Sequence, residues 1–362
     1  MKSSFGSAKD TKKKIIWAVL FLVIAASSVY AVFSASKDFS FANVIFHLRR
    51  SSPLFIVLAF ASMLCNIAAE GLSMRVLFKS FGHPVSVRRS IVYSSADIYF
   101  SAITPSATGG QPACAYFAIR DGIPASCVTL CLIFNLAMYT LSIIIIGIIT
   151  LIISPRVYLY FGIGARILIV LGAALLCAIG AFFILVALKG NWADKLGELI
   201  IKIGLKLHII KSPDGWPRVF RAEIINYKHY ASMISQHKDA IVKTLLLNML
   251  QRGSQFAVTM FMYIALNINV AADKGEVVMN GFRLFGAQSL ISIGSTFIPI
   301  PGAMGYTDLM MLNGFSAIMP EADAAVLELL SRSTSFYCCV ILCFIVVAVS
   351  FFIGKRRIAG EI

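Results

Sequence analysis

Long apolar runs alternate with short polar and basic segments along most of the chain. Six of these runs have the roughly 17 or more residues that a helix needs to cross about 30 Å of hydrocarbon. They are Ile15–Ala35, Pro53–Ala69, Ala125–Ile153, Ile167–Leu188, Leu245–Ala272 and Ser333–Gly354. The pattern predicts an all-α, polytopic membrane protein with about six spanning helices. The first run follows a cluster of lysines, so a signal peptide is the alternative there, although its length favours a retained span.

One further apolar segment, Tyr99–Gly122, does not fit a single straight helix. Its middle, Thr104–Pro112, is rich in proline, glycine, serine and threonine. Proline lacks the backbone donor and clashes with the preceding helical turn, and glycine lowers helix stability. Broken backbone at membrane depth is stable only where protein or a water-filled cavity satisfies its polar groups. We therefore predict a helix, a polar loop and a second helix that dip into the bilayer.

The same interruption recurs in the second half of the chain. Residues Ile103–Gly109 and Pro299–Gly305 both read x-x-Pro-x-Ala-x-Gly, and each lies between long apolar runs. Paired interruptions at corresponding positions of two halves are typical of transporter sites. We predict two re-entrant helical hairpins, near 90–123 and 276–319, that do not cross the membrane. With both hairpins re-entrant, every strongly basic segment is cytoplasmic and the second half is an inverted repeat of the first.

These elements form one predicted membrane domain over residues 1–362. The first half covers 53–188 and the second half covers 244–357. Between them, residues 189–243 are predicted to form a basic cytoplasmic linker, in which apolar residues recur at helical spacing as in an amphipathic helix on the membrane surface. A helix of a small soluble subdomain is the alternative. Lysines at the start of the chain and the basic residues 355–357 predict that both termini are cytoplasmic.

Composition agrees with a membrane protein. Hydrophobic residues make up 59% of the chain and charged residues 14%, whereas a soluble domain has about 25% charged residues. The formal net charge of +15 does not indicate nucleic-acid binding, because the basic residues cluster beside apolar runs. The eight cysteines and five histidines have no zinc-ligand spacing, and no Gly-x-x-x-x-Gly-Lys-Ser/Thr sequence indicates an ATP site. We predict neither a metal nor a cofactor.

Two aspartates stand out at membrane depth. Asp97 is the only charged residue within 90–119, and Asp308 is the only one within 284–320. An ionisable side chain at such depth is energetically expensive and by default indicates a functional site. We predict that both aspartates bind the substrate; the alternative is a structural carboxylate that caps a broken helix or pairs with one arginine.

Three arginines border apolar runs in the second half: Arg252, Arg283 and Arg332. Facing inward, their planar guanidinium groups would suit a phosphate ligand; snorkelling to the membrane interface is the alternative. Asn248, Gln251 and Gln255 lie on turns neighbouring Arg252 and either extend a polar face or hydrogen-bond between helices.

The loop of the first hairpin also offers a binding surface. A helix that restarts near Gln111 would direct its positive N-terminal end into the loop, where an anion can bind. The candidate positions are Thr104, Ser106, Thr108, Gly109, Gly110 and Gln111. A tight helix-packing corner, for which small residues are equally suited, is the alternative.

Both interrupted segments follow the patterns of a known family. The stretch TPSATGGQPACAYFAIRDGIP is similar to P-x-x-x-G-G-x-P-x-x-x-Y-x-x-x-x-x-G-x-P, matched by Pro105, Gly109, Gly110, Pro112, Tyr116, Gly122 and Pro124. The stretch PIPGAMGYTDLMML is similar to P-x-P-G-G-x-G-x-x-E, matched by Pro299, Pro301, Gly302 and Gly305. The family that these patterns resemble is the lysylphosphatidylglycerol synthase transmembrane region, also called flippase-like membrane proteins. Ala303 departs from the pattern, Asp308 stands where glutamate is usual, and Arg332 matches an arginine at the start of the family's last helix.

The resemblance implies a flippase, a module that moves lipids between the leaflets of a bacterial or archaeal plasma membrane. In bifunctional members a soluble C-terminal domain lysylates phosphatidylglycerol and the membrane region flips the product. The chain ends soon after its last apolar run, so we expect no aminoacyltransferase activity, and a separate lipid synthase is an expected partner. The expected substrate is an anionic or aminoacylated phospholipid such as lysyl-phosphatidylglycerol, or a polyprenyl-phosphate lipid. The resemblance adds Tyr116, Pro301, Gly302 and Gly305 to the candidate substrate-binding positions.

Three other functions stay open from the sequence. One is an ion-coupled transporter of a small soluble anion, which would use the same inverted hairpins. A second is an intramembrane enzyme with Asp97 and Asp308 as a carboxylate pair, which requires the two within a few ångströms of each other. A third is a non-transporting membrane partner of a lipid synthase. The direction of movement, the coupling ion and the oligomeric state, a homo-oligomer included, are not determined by the sequence.

Overall fold

The computed structural model describes residues 41–104, 107–188, 225–232, 237–296, 298, 300 and 305–358, and every regular element in these ranges is helical. The main helices are α1 (Phe41–Arg50), α2 (Pro53–Ser80), α3 (Val87–Ile103), α4 (Gly110–Arg120), α5 (Ala125–Ile153), α6 (Ile163–Leu188), α7 (Lys238–Asn267), α8 (Lys274–Gly294), α9 (Tyr306–Phe315), α10 (Glu321–Arg332) and α11 (Cys339–Ile358). A 3-10 helix, Pro155–Tyr160, precedes α6, a short helix covers 225–232, and a π-helical turn, Ser333–Cys338, joins α10 to α11. The predicted all-α class is confirmed for these ranges. The predicted span Ile15–Ala35 and the amphipathic part of the linker lie outside them.

Four helices among the described residues are long and apolar enough to cross a membrane. They are Pro53–Ser80, Ala125–Ile153, Ile163–Val186 and the continuous helix Glu321–Phe351 formed by α10, the π turn and α11. Each overlaps one of the predicted spans, so the chain is a multi-pass membrane protein. The predicted span Leu245–Ala272 falls largely on α7, which has 30 residues but is not among the four. Its buried face contains Asn248, Gln251 and Arg252, and these polar side chains lower its apolar character.

Helix α2 continues well past the predicted end of its apolar run at Ala69. Pro53 occupies the first turn, where its missing N–H has no helical partner in any case. The helix ends only at Ser80. Glu70, the charged residue that follows the predicted apolar run, is buried inside the protein, so it does not mark a solvated helix end. The polar side chains Asn66, Glu70 and Ser73 recur at helical spacing and are all buried.

Helices α2 and α7 pack against one another in opposite directions. The amide of Gln251 bonds Glu70, and the amide of Asn248 bonds Ser73, so residue numbers rise on one helix as they fall on the other. Further along, the backbone N–H that precedes α2 bonds the carbonyl of Ala265 near the end of α7 at 2.8 Å. Polar side chains on both helices meet along this seam and hydrogen-bond inside the protein.

The outer surfaces of the apolar helices are themselves apolar. Leu54 and Val57 on α2 are each 63% exposed, and Ile152 and Ile163 beside the α5–α6 turn are 75% and 76% exposed. Large apolar side chains are exposed to this extent where lipid or another apolar surface covers them. These exposed apolar faces are what the lipid-facing side of a multi-pass protein requires.

The predicted helix, loop and helix around Thr104–Pro112 are present. α3 ends at Ile103 and α4 begins at Gly110, with Ala107 in the left-handed region at φ 55° between them. In the second half α8 ends at Gly294 and α9 begins at Tyr306. The residue before α9, Gly305, has φ 82°, a conformation that favours glycine because it has no Cβ.

Candidate functional site

Asp97 lies on α3, about three turns after the helix begins. It faces the protein interior and is 6% exposed. Its carboxylate accepts a hydrogen bond from the Ser101 hydroxyl at 3.1 Å and from the Gln111 amide at 2.7 Å. Gln111 is the second residue of α4, so this contact ties the start of the second helix to the first across the loop. The carboxyl of Asp97 also hydrogen-bonds the carboxyl of Glu70 on α2.

Glu70 completes what we call the acidic centre: Glu70, Asp97, Ser101, Gln111 and Gln251. The Glu70 side chain is 4% exposed and accepts a hydrogen bond from the Gln251 amide at 2.9 Å. Four elements, α2, α3, α4 and α7, thus meet at two carboxyl groups. Sequence reasoning found Asp97, Gln111 and Gln251 but missed Glu70. The available signal was its helical spacing from Asn66 and Ser73 at the end of an apolar run.

Gly110 allows the close approach that forms the acidic centre. A Cβ at this position would lie 2.0 Å from the Asp97 Oδ1 and 2.0 Å from the Ser101 Oγ. It would also lie 2.6 Å from the Asp97 carbonyl oxygen. Real Cβ atoms do not approach other atoms so closely, so only glycine permits α4 to start against α3 at this distance.

The other candidate positions of the first loop have different roles. The Thr104 hydroxyl donates to the Phe100 carbonyl at 2.6 Å and accepts the Gly109 N–H at 2.9 Å, which closes the loop on itself. Thr108 is exposed at the surface of the loop. Tyr116 is 54% exposed on α4 and is not part of the buried centre. Ser106 lies outside the described residues.

Arg252 follows Gln251 on α7 and is 8% exposed. Its guanidinium donates to Gln255 and, at 2.9 Å, to Ser292 on α8. The guanidinium carbon also lies 4.7 Å from the ring centroid of Tyr139 on α5. Such burial does not fit a side chain that snorkels to the interface. Arg252 therefore belongs to the protein interior and holds three helices together beside the acidic centre.

Asp308 belongs to a second centre, which we call the ion-pair centre: Gly305, Asp308, Glu328 and Arg332. The Asp308 side chain is 2% exposed, and its Oδ1 lies 2.9 Å from Nε of Arg332 on α10. Its Oδ2 accepts the N–H of Gly305 at 2.8 Å, which caps the start of α9. Glu328, also 2% exposed, hydrogen-bonds the Asp308 carboxyl from one turn before Arg332. The predicted substrate positions Pro301 and Gly302 lie outside the described residues.

The three predicted arginines do not form one cluster. Arg332 is paired with Asp308, and Arg252 is bound by neutral side chains. Arg283 on α8 donates to Asn280 at 2.7 Å, nine residues before the Ser292 that contacts Arg252, which is about 13 Å along a helix. The two predicted aspartates belong to different centres, because Asp97 hydrogen-bonds Glu70 and Asp308 hydrogen-bonds Glu328. Glu328 was missed by sequence reasoning, although its spacing of four residues from Arg332 places both on one face of a helix.

A polar network continues from the acidic centre along the α2–α7 seam. The Asn248 amide donates to Ser73 and to Asn135 on α5, both at 3.0 Å, and to the Thr244 carbonyl at 2.9 Å. Ser73 in turn donates to Asn135. All three side chains of the network are buried, so α2, α5 and α7 are held in one register by hydrogen bonds.

We expect Asn248→Ala to lower the free energy of unfolding by about 1–3 kcal/mol, because it removes a buried amide that donates to Ser73, Asn135 and the Thr244 carbonyl. Thermal unfolding in detergent would measure the change. Asn269→Ala is the matched control, since the Asn269 amide donates to the Arg50 carbonyl from an exposed position. Equal stability of the two variants would contradict a stabilising network.

Across the described ranges, no group of three or more histidine, cysteine, aspartate and glutamate side chains is placed to hold a metal ion.

A search among functionally characterised proteins gives no significant match. The family model described as the lysylphosphatidylglycerol synthase transmembrane region matches residues 15–343, which includes both interruptions and both centres.

Proposed function

The chain belongs to the lysylphosphatidylglycerol synthase transmembrane-region family, and we propose that it moves an aminoacylated anionic phospholipid between the two leaflets of a prokaryotic plasma membrane. The substrate would be of the lysyl-phosphatidylglycerol type. The observation that supports the proposal best is the pair of buried charged centres, each beside a broken helix. In a multi-pass membrane protein, charged groups buried at broken helices are typical of substrate pathways.

We propose that α3–α4 and α8–α9 are re-entrant hairpins. α4 has 11 residues and α9 has 10, which correspond to about 16 and 15 Å of helix. Each is only about half the thickness of the hydrocarbon core, so neither limb reaches the far side. The headgroup would pass between the two hairpins while the acyl chains stay in the bilayer.

The headgroup chemistry matches the charges of the two centres. A lysyl headgroup has ammonium groups, and the lipid has a phosphate. In the ion-pair centre Asp308 and Arg332 neutralise each other, and breaking a buried pair without replacement is strongly unfavourable. A ligand with charges of both signs can take the place of each partner at once, so no charge is left alone. In the acidic centre Asp97 would bind an ammonium group, and the nearby Arg252 would bind the phosphate.

The test uses proteoliposomes that contain fluorescent phosphatidylglycerol or its lysyl form. Dithionite, or an amine reagent that does not cross membranes, reports the lipid in the outer leaflet over time. We expect the protein to accelerate movement of the lysyl form over that of phosphatidylglycerol. Asp97→Asn should slow movement about tenfold or more, because it removes a charge-assisted hydrogen bond of about 1.5–3 kcal/mol to the headgroup.

Asp239→Asn is the matched control for this experiment. It makes the same change on α7 at a side chain that is 70% exposed, and it should move lipid at the wild-type rate. Lipid movement that is equally fast in Asp97→Asn would contradict a role of the acidic centre. Uptake of a soluble phosphate or phosphonate, without movement of either lipid, would support the small-anion transporter instead.

A further inference from the structure

We propose that the Glu70–Asp97 carboxyl pair is a proton-binding site that exchanges its proton for the cationic headgroup, so that lipid movement is coupled to a proton gradient. This inference rests on the proposed function and adds the ion that drives it. The pair is the only place among the described residues where two buried carboxyl groups bond each other without an ion-pair partner.

The contacts around the pair are those of two carboxyl groups that share one proton. Glu70 accepts from the Gln251 amide, and Asp97 accepts from the Gln111 amide and the Ser101 hydroxyl. All three donors are neutral, so none compensates a negative charge in full. Two ionised carboxylates in contact inside a protein repel each other strongly, and a hydrogen bond between two carboxyl groups exists only when one of them is protonated. The pair therefore holds one proton and one negative charge.

Few other ionisable groups face the pair. Glu70 interacts electrostatically with Arg252 on α7 and with Cys343 on α11. Cys114 on α4 interacts electrostatically with both carboxyl groups. Cysteine thiols in an apolar surrounding stay neutral, so Arg252 is the one fixed charge among them. Its guanidinium bonds neutral Gln255 and Ser292, and no carboxylate of the described residues forms an ion pair with it.

Two buried polar atoms beside the pair have no hydrogen-bond partner among the residues that the structure describes. The Gln251 side chain is 4% exposed, and its Oε1 is unpartnered although its amide nitrogen bonds Glu70. Arg252 is 8% exposed, and its Nε is also unpartnered. An amide oxygen accepts from an ammonium group and a guanidinium nitrogen donates to a phosphate. The acidic centre thus has one vacant acceptor and one vacant donor for the two ends of the proposed headgroup.

The ion-pair centre differs in its supply of positive charge. There, Arg332 is already paired with Asp308, so loss of a proton from Glu328 would place a second carboxylate beside a guanidinium that already balances one. In the acidic centre the guanidinium of Arg252 forms no ion pair within the described part of the chain and can balance the second carboxylate. The acidic centre is therefore the one that tolerates two protonation states.

The exchange conserves charge at each step. An ammonium group enters and bonds the two carboxylates, the shared proton leaves to water, and one positive charge has replaced another. When the headgroup leaves on the opposite side, a proton returns from that side to the pair. No covalent bond of the lipid is formed or broken.

The test imposes a gradient of one pH unit across proteoliposomes, with the membrane potential held at zero by valinomycin and equal potassium. We measure the steady-state ratio of lysyl-phosphatidylglycerol in the two leaflets. Exchange of one proton per lipid shifts this ratio by about tenfold in wild type. Protein-free liposomes under the same gradient correct for titration of the lipid's own amines.

Glu70→Gln is the decisive variant, because an amide donates to Asp97 in place of the proton but cannot release it. Lipid should still equilibrate in this variant, with the same leaflet ratio in the presence and absence of the gradient. Glu276→Gln, at an exposed position on α8, is the matched control and should respond as wild type does. Size-exclusion and thermal-unfolding profiles check that both variants fold.

The outcomes separate this inference from the function on which it rests. Proton coupling is overturned if wild type moves lipid but its leaflet ratio does not depend on the gradient. It is also overturned if the response to the gradient persists in Glu70→Gln. Neither outcome contradicts the proposed lipid movement. Absence of protein-dependent lipid movement overturns both. Infrared difference spectra of the purified protein give a readout that does not need transport. Glu70→Gln should lose carbonyl absorption of a protonated carboxyl group relative to Glu276→Gln, and identical spectra would show that the pair holds no proton.

Discussion

Gly110→Ala is expected to abolish lipid movement and to destabilise the protein, although it adds a single methyl group. That group would lie 2.0 Å from both the Asp97 Oδ1 and the Ser101 Oγ. The side chains could rotate away, but the Asp97 carbonyl oxygen at 2.6 Å is part of the α3 backbone, so α4 has to move away from α3. The Gln111–Asp97 hydrogen bond, which spans the same gap, is then lost.

The sign of this effect distinguishes close packing from helix propensity. In an open helix, replacing glycine by alanine stabilises by about 1 kcal/mol. Gly253→Ala is the matched control, because the nearest atom to its added Cβ is Cζ of Phe285 at 4.0 Å, and we expect it to be neutral or stabilising. Thermal unfolding and the dithionite assay on both variants make the comparison. Wild-type stability and lipid movement in Gly110→Ala would mean that the contact between α3 and α4 is not required.

The first helix–loop–helix unit and the position of Asp97 could be predicted because they depend on local sequence. Proline and glycine between Thr104 and Pro112 end one helix and start another whatever surrounds them. The isolation of Asp97 within an apolar stretch is likewise visible without a structure. The helix bounds observed on either side, Ile103 and Gly110, agree with this local prediction.

Glu70 and Glu328 could not be assigned to a site in the same way. Each stands where an apolar run meets polar residues, a position at which a solvated charge is ordinary. Only the packing of α2 against α3 and α7 shows that Glu70 is buried, and only the packing of α10 against α9 brings Glu328 to Asp308. Tertiary contacts between segments far apart in the chain decide both roles, and hydrophobic periodicity contains no information about them.

The two centres also differ in how they are arranged along the chain. In the first half the order is Glu70, Asp97 and then the interruption, whereas in the second half the interruption precedes Asp308 and Glu328. Aligning the two x-x-Pro-x-Ala-x-Gly segments therefore does not superimpose Asp97 on Asp308. If the halves are an inverted repeat, each half has placed its aspartate on a different limb of its hairpin. We therefore expect the two centres to have separate tasks, in line with the proposal that the acidic centre exchanges a proton while the ion-pair centre is held by a fixed cation.

Arg332→Met is expected to destabilise the protein by about 3–5 kcal/mol, the cost typical of removing one partner of a buried ion pair. The Arg332 side chain is 10% exposed and Asp308 is 2% exposed, so water does not replace the lost guanidinium. Asp308 would keep the Gly305 N–H and the carboxyl of Glu328 and would lose the guanidinium that now pairs with it. Asp308→Asn should cost less, because Glu328 can then ionise and pair with Arg332 in place of the missing carboxylate.

The double variant Asp308→Asn/Arg332→Met decides whether the ion pair is the reason. With both charges removed, no uncompensated charge is buried, so the double variant should be more stable than Arg332→Met alone. Unfolding of the four proteins in detergent gives the coupling energy of the pair directly. Lys243→Met removes a partner of the exposed Asp239–Lys243 pair and should leave stability unchanged. Additive losses in the double variant would contradict the pairing, and would indicate that Arg332 stabilises the protein through its stacking on Phe336 at 4.7 Å instead.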